Sequence, residues 1–282
     1  MLRERVSNNI YVFTSELYAQ VTAGAIITPE GAIVVDTLPF PSETKQIKHF
    51  IESRHGLPVR YVINTHYHAD HTYGTCLFEE ASVVSHRLCY DLLNTRGRVG
   101  LERDRQNSRE MAQLELRLPD IIFEDGSMNI HLGGLTVQLW HAPGHSSDTI
   151  LCLVEEERIL FASDTLMPVP FFTDGSWDDY VATLQSLQGK SYENIVQGHG
   201  DVILRGELES KLESDLTYLI EVRQRVQEVV ESGGSQLDLD SIDIEACGKS
   251  RLPLNGLVEQ LHHSNLRSLY QSLSSETVPV AE

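Results

Sequence analysis

The sequence predicts a mixed α/β chain in which two β-rich blocks, each carrying helices, pack sheet against sheet. Three observations support this. Short runs rich in β-branched residues alternate with helical patterns through the first two-thirds of the chain. A second β-rich block begins after Pro119. No low-complexity linker or short-period repeat interrupts the 282 residues, so one domain over 1–282 is expected, with a core at about 9–205 and a helical extension at about 206–282.

In the first block, runs 9–14, 20–28 and 31–36 read as strands, with Pro29-Glu30-Gly31 as the turn between the latter two. Residues 42–55 follow as a helix, with Ile47, Phe50 and Ile51 at core-facing spacing, Ser42 as N-cap after Pro41 and Gly56 as stop. A short apolar strand at 59–64 delivers the chain to Thr65-His66-Tyr67-His68. A strand at 81–85 and a helix at 86–95 come next, then a charged helical stretch at 100–118 that reads as a surface excursion ended by Pro119. The second block is expected as strands 121–123, 127–132, 135–141, 149–154 and 158–163, with Gly133-Gly134 and Glu155-Glu156-Glu157 as hairpin turns. An amphipathic helix at 177–188 puts Tyr180, Val181, Leu184 and Leu187 on one face, and strand 194–197 ends at Gly198-His199-Gly200. Helices at 207–231 and 254–274 complete the chain around a Gly/Ser break at 232–235.

Apolar residues make up 41% and charged residues 22%, which excludes a disordered or collagen-like chain. The formal charge of −19 and the lack of a dense Lys/Arg run argue against a nucleic-acid partner, because phosphate contacts need a basic surface. No segment has the apolar length to span a bilayer, and the charged start Met1-Leu2-Arg3-Glu4-Arg5 is unlike a signal peptide. Cys76, Cys89, Cys152 and Cys247 form no C-x-x-C pair and read as reduced thiols. A cytoplasmic protein without a membrane partner is expected, acting on a small molecule.

The chemistry concentrates in His66-Tyr67-His68-Ala69-Asp70-His71, directly after a strand. Imidazole nitrogen and carboxylate oxygen are donors that zinc and related divalent ions prefer. His66 and His68 project to one side of an extended backbone, while Asp70 and His71 lie further round the turn, within reach of a second ion. Rival devices are missing, with neither a G-x-S-x-G nucleophile elbow nor a phosphate-binding glycine loop.

This H-x-H-x-D-H motif resembles the signature of the metallo-β-lactamase superfamily, and similar later motifs follow in order: Ala142-Pro143-Gly144-His145-Ser146, Phe161-Ala162-Ser163-Asp164-Thr165 and Gly198-His199-Gly200, with Val34-Val35-Asp36-Thr37 upstream. The resemblance covers about residues 9–205 and implies a four-layer αββα sandwich with C-terminal helices. It implies two divalent metal ions, zinc first, with iron or manganese also compatible. One ion would take His66, His68 and His145; the other would take Asp70, His71 and His199; Asp164 would bridge them. Asp36 either holds a ligand by a hydrogen bond or is a simple turn residue.

The resemblance further implies a metal-dependent hydrolase. A hydroxide bridging the ions would attack a small ester, thioester, lactone or related acyl substrate, and Asp70 would orient it and pass its proton on. Asp164 aligns the chain with relatives that keep this aspartate, whereas true β-lactamases generally lack it. A mononuclear-iron sulfur dioxygenase is the main alternative, since its two histidines and aspartate are present too; a phosphodiesterase or nuclease ranks below it. Substrate-facing candidates are Leu38-Pro39-Phe40-Pro41, Pro168-Val169-Pro170-Phe171-Phe172, Tyr67 and Tyr73, with Arg103, Arg105 and Arg109 as a candidate anion clamp. His262-His263 lacks a partner cluster and reads as structural, and a homodimer paired through the C-terminal helices is compatible with the sequence.

Overall fold

Alternating side chains along the strands sort the chain into layers. The computed structural model describes residues 1–276; the end of the predicted helical extension, 277–282, lies outside the described residues. Strands β1 (Leu2–Arg5), β2 (Ile10–Thr14), β3 (Thr22–Thr28), β4 (Gly31–Val35), β5 (Val59–Ile63), β6 (Ser82–His86) and β7 (Ile121–Phe123) form one sheet in chain order. Its first four strands are antiparallel, and β4 to β7 run parallel. Strands β8 (Ser127–Leu132), β9 (Leu135–His141), β10 (Ile150–Val154), β11 (Ile159–Ser163), β12 (Asn194–Gln197) and β13 (Ile203–Leu204) form the second, ordered β13-β12-β11-β10-β9-β8. It is antiparallel except for the β11–β12 pair.

Period-two alternation explains the packing. On β4, Ile33 and Val35 enter the core between the sheets, while Ala32 and Val34 face the outer cluster that holds Ile47, Phe50 and Ile51. On β11, Ile159 and Phe161 point between the sheets, and Leu160 and Ala162 point the other way. Helix α1 (Pro41–His49), continued to Arg54 by a wider π-type turn, covers the first sheet. The short α2 (Ala69–Thr72), then α3 (Arg87–Leu92) and α4 (Arg98–Asn107), fill the connections after β5 and β6. Helices α5 (Trp177–Leu187), α6 (Leu208–Glu231) and α7 (Leu257–Glu276) cover the second sheet through Tyr180, Leu184, Leu219, Val222, Val258 and Leu266. The layers are therefore α, β, β, α.

Four expectations are corrected. Helix α1 starts at Pro41 with Phe40 before it and no side-chain cap, so Ser42 is not the N-cap; the fixed φ and missing N–H of proline suit the first helical position. The excursion is α-helical only over Arg98–Asn107; beyond it, Met111 and Leu114 tuck under Tyr73 with Leu101. Helix α7 starts at Leu257, because Leu254 and Asn255 are left-handed at φ 53° and 55°. Strands β1 and β13 were not expected. All four residues of β1 are exposed, so its sequence carries no alternation, and β13 has only two residues.

Candidate metal centre

The parallel pairs β4–β5 and β11–β12 end at the same edge of the sandwich. His66 lies three residues beyond β5, His68 precedes α2, and α2 carries Asp70 and His71. His145 comes from the β9–β10 connection, Asp164 directly follows β11, and His199 follows β12. Main-chain bonds stitch the two sheets together here: Ile150 N–H donates to Thr65 O at 2.9 Å and Thr22 N–H to Gly198 O at 2.8 Å. Gly198 is required by crowding, since a Cβ there would fall 1.8 Å from Asp164 Oδ1. At Gly144, φ is 149° and a Cβ would meet the Tyr180 backbone at 2.5 Å, so only glycine lets the His145 turn sit against α5.

All seven sequence-predicted donors converge in two adjacent groups. His66, His68, His145 and Asp164 offer atoms all within 4.8 Å of one another, as do Asp70, His71 and His199. Asp164 faces both groups. Its Oδ1 lies 3.2 Å from His71 Nε2, and its Oδ2 lies 3.3 Å from His145 Nε2 and 3.5 Å from His199 Nε2.

The outward nitrogen of each ring is held by a fixed group, which dictates which nitrogen faces the centre. His71 Nδ1 bonds Asp36 Oδ2 at 2.9 Å, His145 Nδ1 bonds Phe171 O at 2.7 Å, and His199 Nδ1 bonds Ala19 O at 2.8 Å. His66 Nδ1 meets the hydroxyls of Thr65 and Ser163. His68 is reversed: its Nε2 bonds Asp174 Oδ2 at 3.1 Å, which leaves Nδ1 inward, 3.1 Å from His66 Nε2 and 2.9 Å from His145 Nε2. Asp36 therefore has a holding role, and it also accepts from the Thr65 N–H and hydroxyl.

A model of the family described as "Metallo-beta-lactamase superfamily" matches residues 18–199, more than half of the chain. The chain belongs to the metallo-β-lactamase superfamily. Among similar proteins, the α subunit of 2,4-dinitroanisole O-demethylase from Nocardioides sp. (strain JS1661) is 26% identical over 220 residues, covering 76% of this chain and 62% of that one. The lactamase-like protein nscB of Trichophyton equinum is 26% identical over 254 residues, covering 86% and 69%. An atrochrysone carboxyl ACP thioesterase of Pseudocercospora fijiensis is 25% identical over 194 residues, covering 69% and 51%. The chain thus spans half to about two-thirds of the curated relatives it matches. In three dimensions it is similar to a metallo-β-lactamase from Pontibacter korlensis, with a TM-score of 0.62 and 20% identity over 77% of this chain and 98% of that one. That likeness concerns the fold.

The superfamily typically binds metal ions, and the donors of this member fit them. His71 Nε2 and Asp164 Oδ1 are buried without a hydrogen-bond partner, although buried polar atoms are nearly always satisfied. Three inward nitrogens of the first group crowd one another at hydrogen-bond distance. Cations held by the two groups would satisfy these atoms. Electrostatics separate the rings. Burial and the neighbouring imidazoles His71 and His68 push His66 well below the usual histidine range. Burial also dominates at His145, which falls to about 4. At His199 burial opposes protonation, but the Asp164 and Asp70 carboxylates outweigh it and raise the group to about 10. A cation taken up by the second group would therefore displace protons.

A cavity of about 150 Å³ opens onto His68, Asp70, His145, Asp164 and His199. Its remaining walls include Tyr18, Met167, Phe171, Leu254, Leu257 and Leu261. A larger groove of about 860 Å³ beside β1 and α1 holds none of the seven donors. Of the predicted substrate-facing residues only Phe171 lines the cavity. Leu38 and Tyr73 are core residues, and the Tyr67 hydroxyl donates to Asp174. Arg103 and Arg105 pair with Asp104 and Glu102 on their own helix, and Arg109 is exposed and does not line the cavity. His262 is structural, as expected: it is buried, bonded to Tyr218 Oη and to Ile242 O. Sequence reasoning missed Asp174, Tyr18 and the leucines of the 254–261 segment.

Proposed function

We propose that this member of the superfamily is a binuclear metal-dependent hydrolase, acting on a small ester, thioester, lactone or related acyl substrate. The carrying observation is Asp164, whose two oxygens face two groups of histidines with inward nitrogens set by their outer bonds. His66, His68 and His145 would hold one divalent ion, zinc first, with iron or manganese compatible; Asp70, His71 and His199 would hold the other, and Asp164 would touch both. When bound, the ions would make hydroxide available near neutral pH and polarise a scissile carbonyl.

The chain supplies the remaining functions. Asp70 lines the cavity, and the charges of His71 and His199 overcome the effect of its burial and hold its carboxyl well below the usual range. It therefore stays ionised and able to orient a water by accepting its hydrogen bond. At Tyr18, burial and then the Asp70 and Asp164 charges push the phenol up, so at neutral pH it is a donor facing the same cavity. Phe171 and Met167 limit water beside the reacting group. The thioesterase name of one relative supports acyl chemistry, and the chain's charge of −19 argues against a polyanionic substrate.

Elemental analysis of protein purified without added metal, followed by ester, lactone, thioester and phosphodiester substrates, tests the proposal. About two zinc-like ions per chain with acyl hydrolysis is expected. A single iron with oxygen consumption on persulfides would replace it with the dioxygenase reading. Asp164→Ala is expected to lose metal and activity together; retention of both would remove Asp164 from the bridging position.

A further inference from the structure

The cavity beside the donors has a wall of carbon. Met167 and Phe171 come from the segment after β11, and Leu254, Leu257 and Leu261 come from the start of α7 and the turn before it. Leu257 and Leu261 are four residues apart, so they lie on one helix face a single turn apart. Among the described residues lining the cavity there is no Lys or Arg.

Backbone strain independently marks the same walls. Leu254 and Asn255 sit at φ 53° and 55°, and Ala19 and Gln20 on the Tyr18 side sit at φ 45° and 50°. Left-handed backbone is unfavourable for residues with a Cβ and persists where the surroundings over-determine it, most often at functional sites. On one side it presents the buried Leu254 to the cavity; on the other it aims the Ala19 carbonyl at His199.

Size and charge then limit the occupant. The cavity, about 150 Å³ in all, has the donors on one side and aliphatic and aromatic side chains on the other, and a volume of that order holds a group the size of a benzene ring. A carboxylate or phosphate set against the carbon wall, away from the donors, would be buried with no Lys or Arg beside it, which is unfavourable.

We infer that this cavity is a subsite for an uncharged, apolar substituent of about six carbon atoms on the scissile group, with Leu254, Leu257 and Leu261 as specificity-determining residues. This rests on the hydrolase reading of the neighbouring donors.

The test uses the protein with its purified metal complement and two series. Hydrolysis of p-nitrophenyl acetate, butanoate, hexanoate and decanoate is compared with mono-p-nitrophenyl succinate. Binding of acetate, butanoate and hexanoate, whose carboxylate would meet the donor side and whose chain the carbon wall, is measured by calorimetry. Specificity, as kcat/KM, and affinity are expected to rise about three- to fourfold per methylene up to about six carbons. The succinate ester is expected to be at least about tenfold poorer than the butanoate. Leu257→Trp should move the optimum to shorter chains and Leu261→Ala to longer ones. Chain-length profiles flat in both series would overturn the subsite, and if esters are still cleaved the hydrolase reading stands. Affinity that climbs with chain length while no ester is cleaved would keep the subsite and overturn the hydrolase reading. If Leu257→Trp fails to fold, the wild-type series and Leu261→Ala decide.

Discussion

Asp174 is the residue on which the geometry of His68 depends. Its carboxylate accepts from the Tyr67 hydroxyl, His68 Nε2 and Arg96 Nη1. Burial would raise its pKa, but His68, Tyr67 and Arg96 outweigh that and bring it to about 2, so it stays a carboxylate throughout the working range. Asp174→Asn should weaken metal binding at the His66–His68–His145 group about 10- to 100-fold, read by chelator competition. Unchanged affinity would show that His68 keeps its orientation without it. The seven candidate donors were legible in the sequence because four of them crowd into six residues, while His145 and His199 sit beside glycines and Asp164 at a strand end, all in family-like motifs. Asp174 was not, because a single aspartate in a turn carries no pattern. Asp36 was half-legible: its use depends on a left-handed backbone at φ 57° and on Thr65, which only folding brings close.

At the scale of elements, α7 fastens the segment that ends in Phe172. Asn265 Nδ2 donates to Pro170 O at 2.7 Å, and Phe172 N–H donates to Asn265 Oδ1 at 3.2 Å. Asn265→Ala would leave a buried donor and acceptor unpaired and should lower stability by about 1–3 kcal/mol, measured by urea unfolding. His262, three residues earlier, adds a pH dependence. Burial holds its folded pKa below the usual 6.5, so the unfolded chain takes up the proton first. Its contribution to stability is full above pH 6.5 and falls as acidification proceeds from there toward the folded value. His262→Gln should therefore flatten the stability profile on the acid side of pH 6.5; an unchanged slope would assign the acid sensitivity elsewhere. Helices α5 and α6 were readable from their period. The period alone misplaces the start of α7: it extends the helix back over Leu254, which instead lines the cavity, although Asn255-Gly256 after Pro253 is a turn-type pair and asparagine tolerates left-handed backbone. The predicted strands were found to within a residue or two because each alternates or is uniformly apolar; β1, exposed along its whole length, gave no such signal.

At the scale of the molecule, the seven donors run from residue 66 to residue 199 and come from both sheets. The core between the sheets is a separate, fully apolar cluster, so it does not depend on the metal site. Removal of metal by a chelator should therefore lower Tm while leaving the far-UV circular dichroism intact, with a loss of about 4 kcal/mol where the free ion stood a thousandfold above its Kd. Collapse of the helical and sheet signals on chelation would show instead that folding requires the ions. The main-chain bonds Ile150 N–H to Thr65 O and Thr22 N–H to Gly198 O reach across from one sheet to the other beside these donors. Their amide protons are thus a built-in gauge of whether the halves are clasped. In deuterated water they should persist when the ions are present and wash out early once the ions are stripped, while amides in the middle of β3 and β10 keep their original pace.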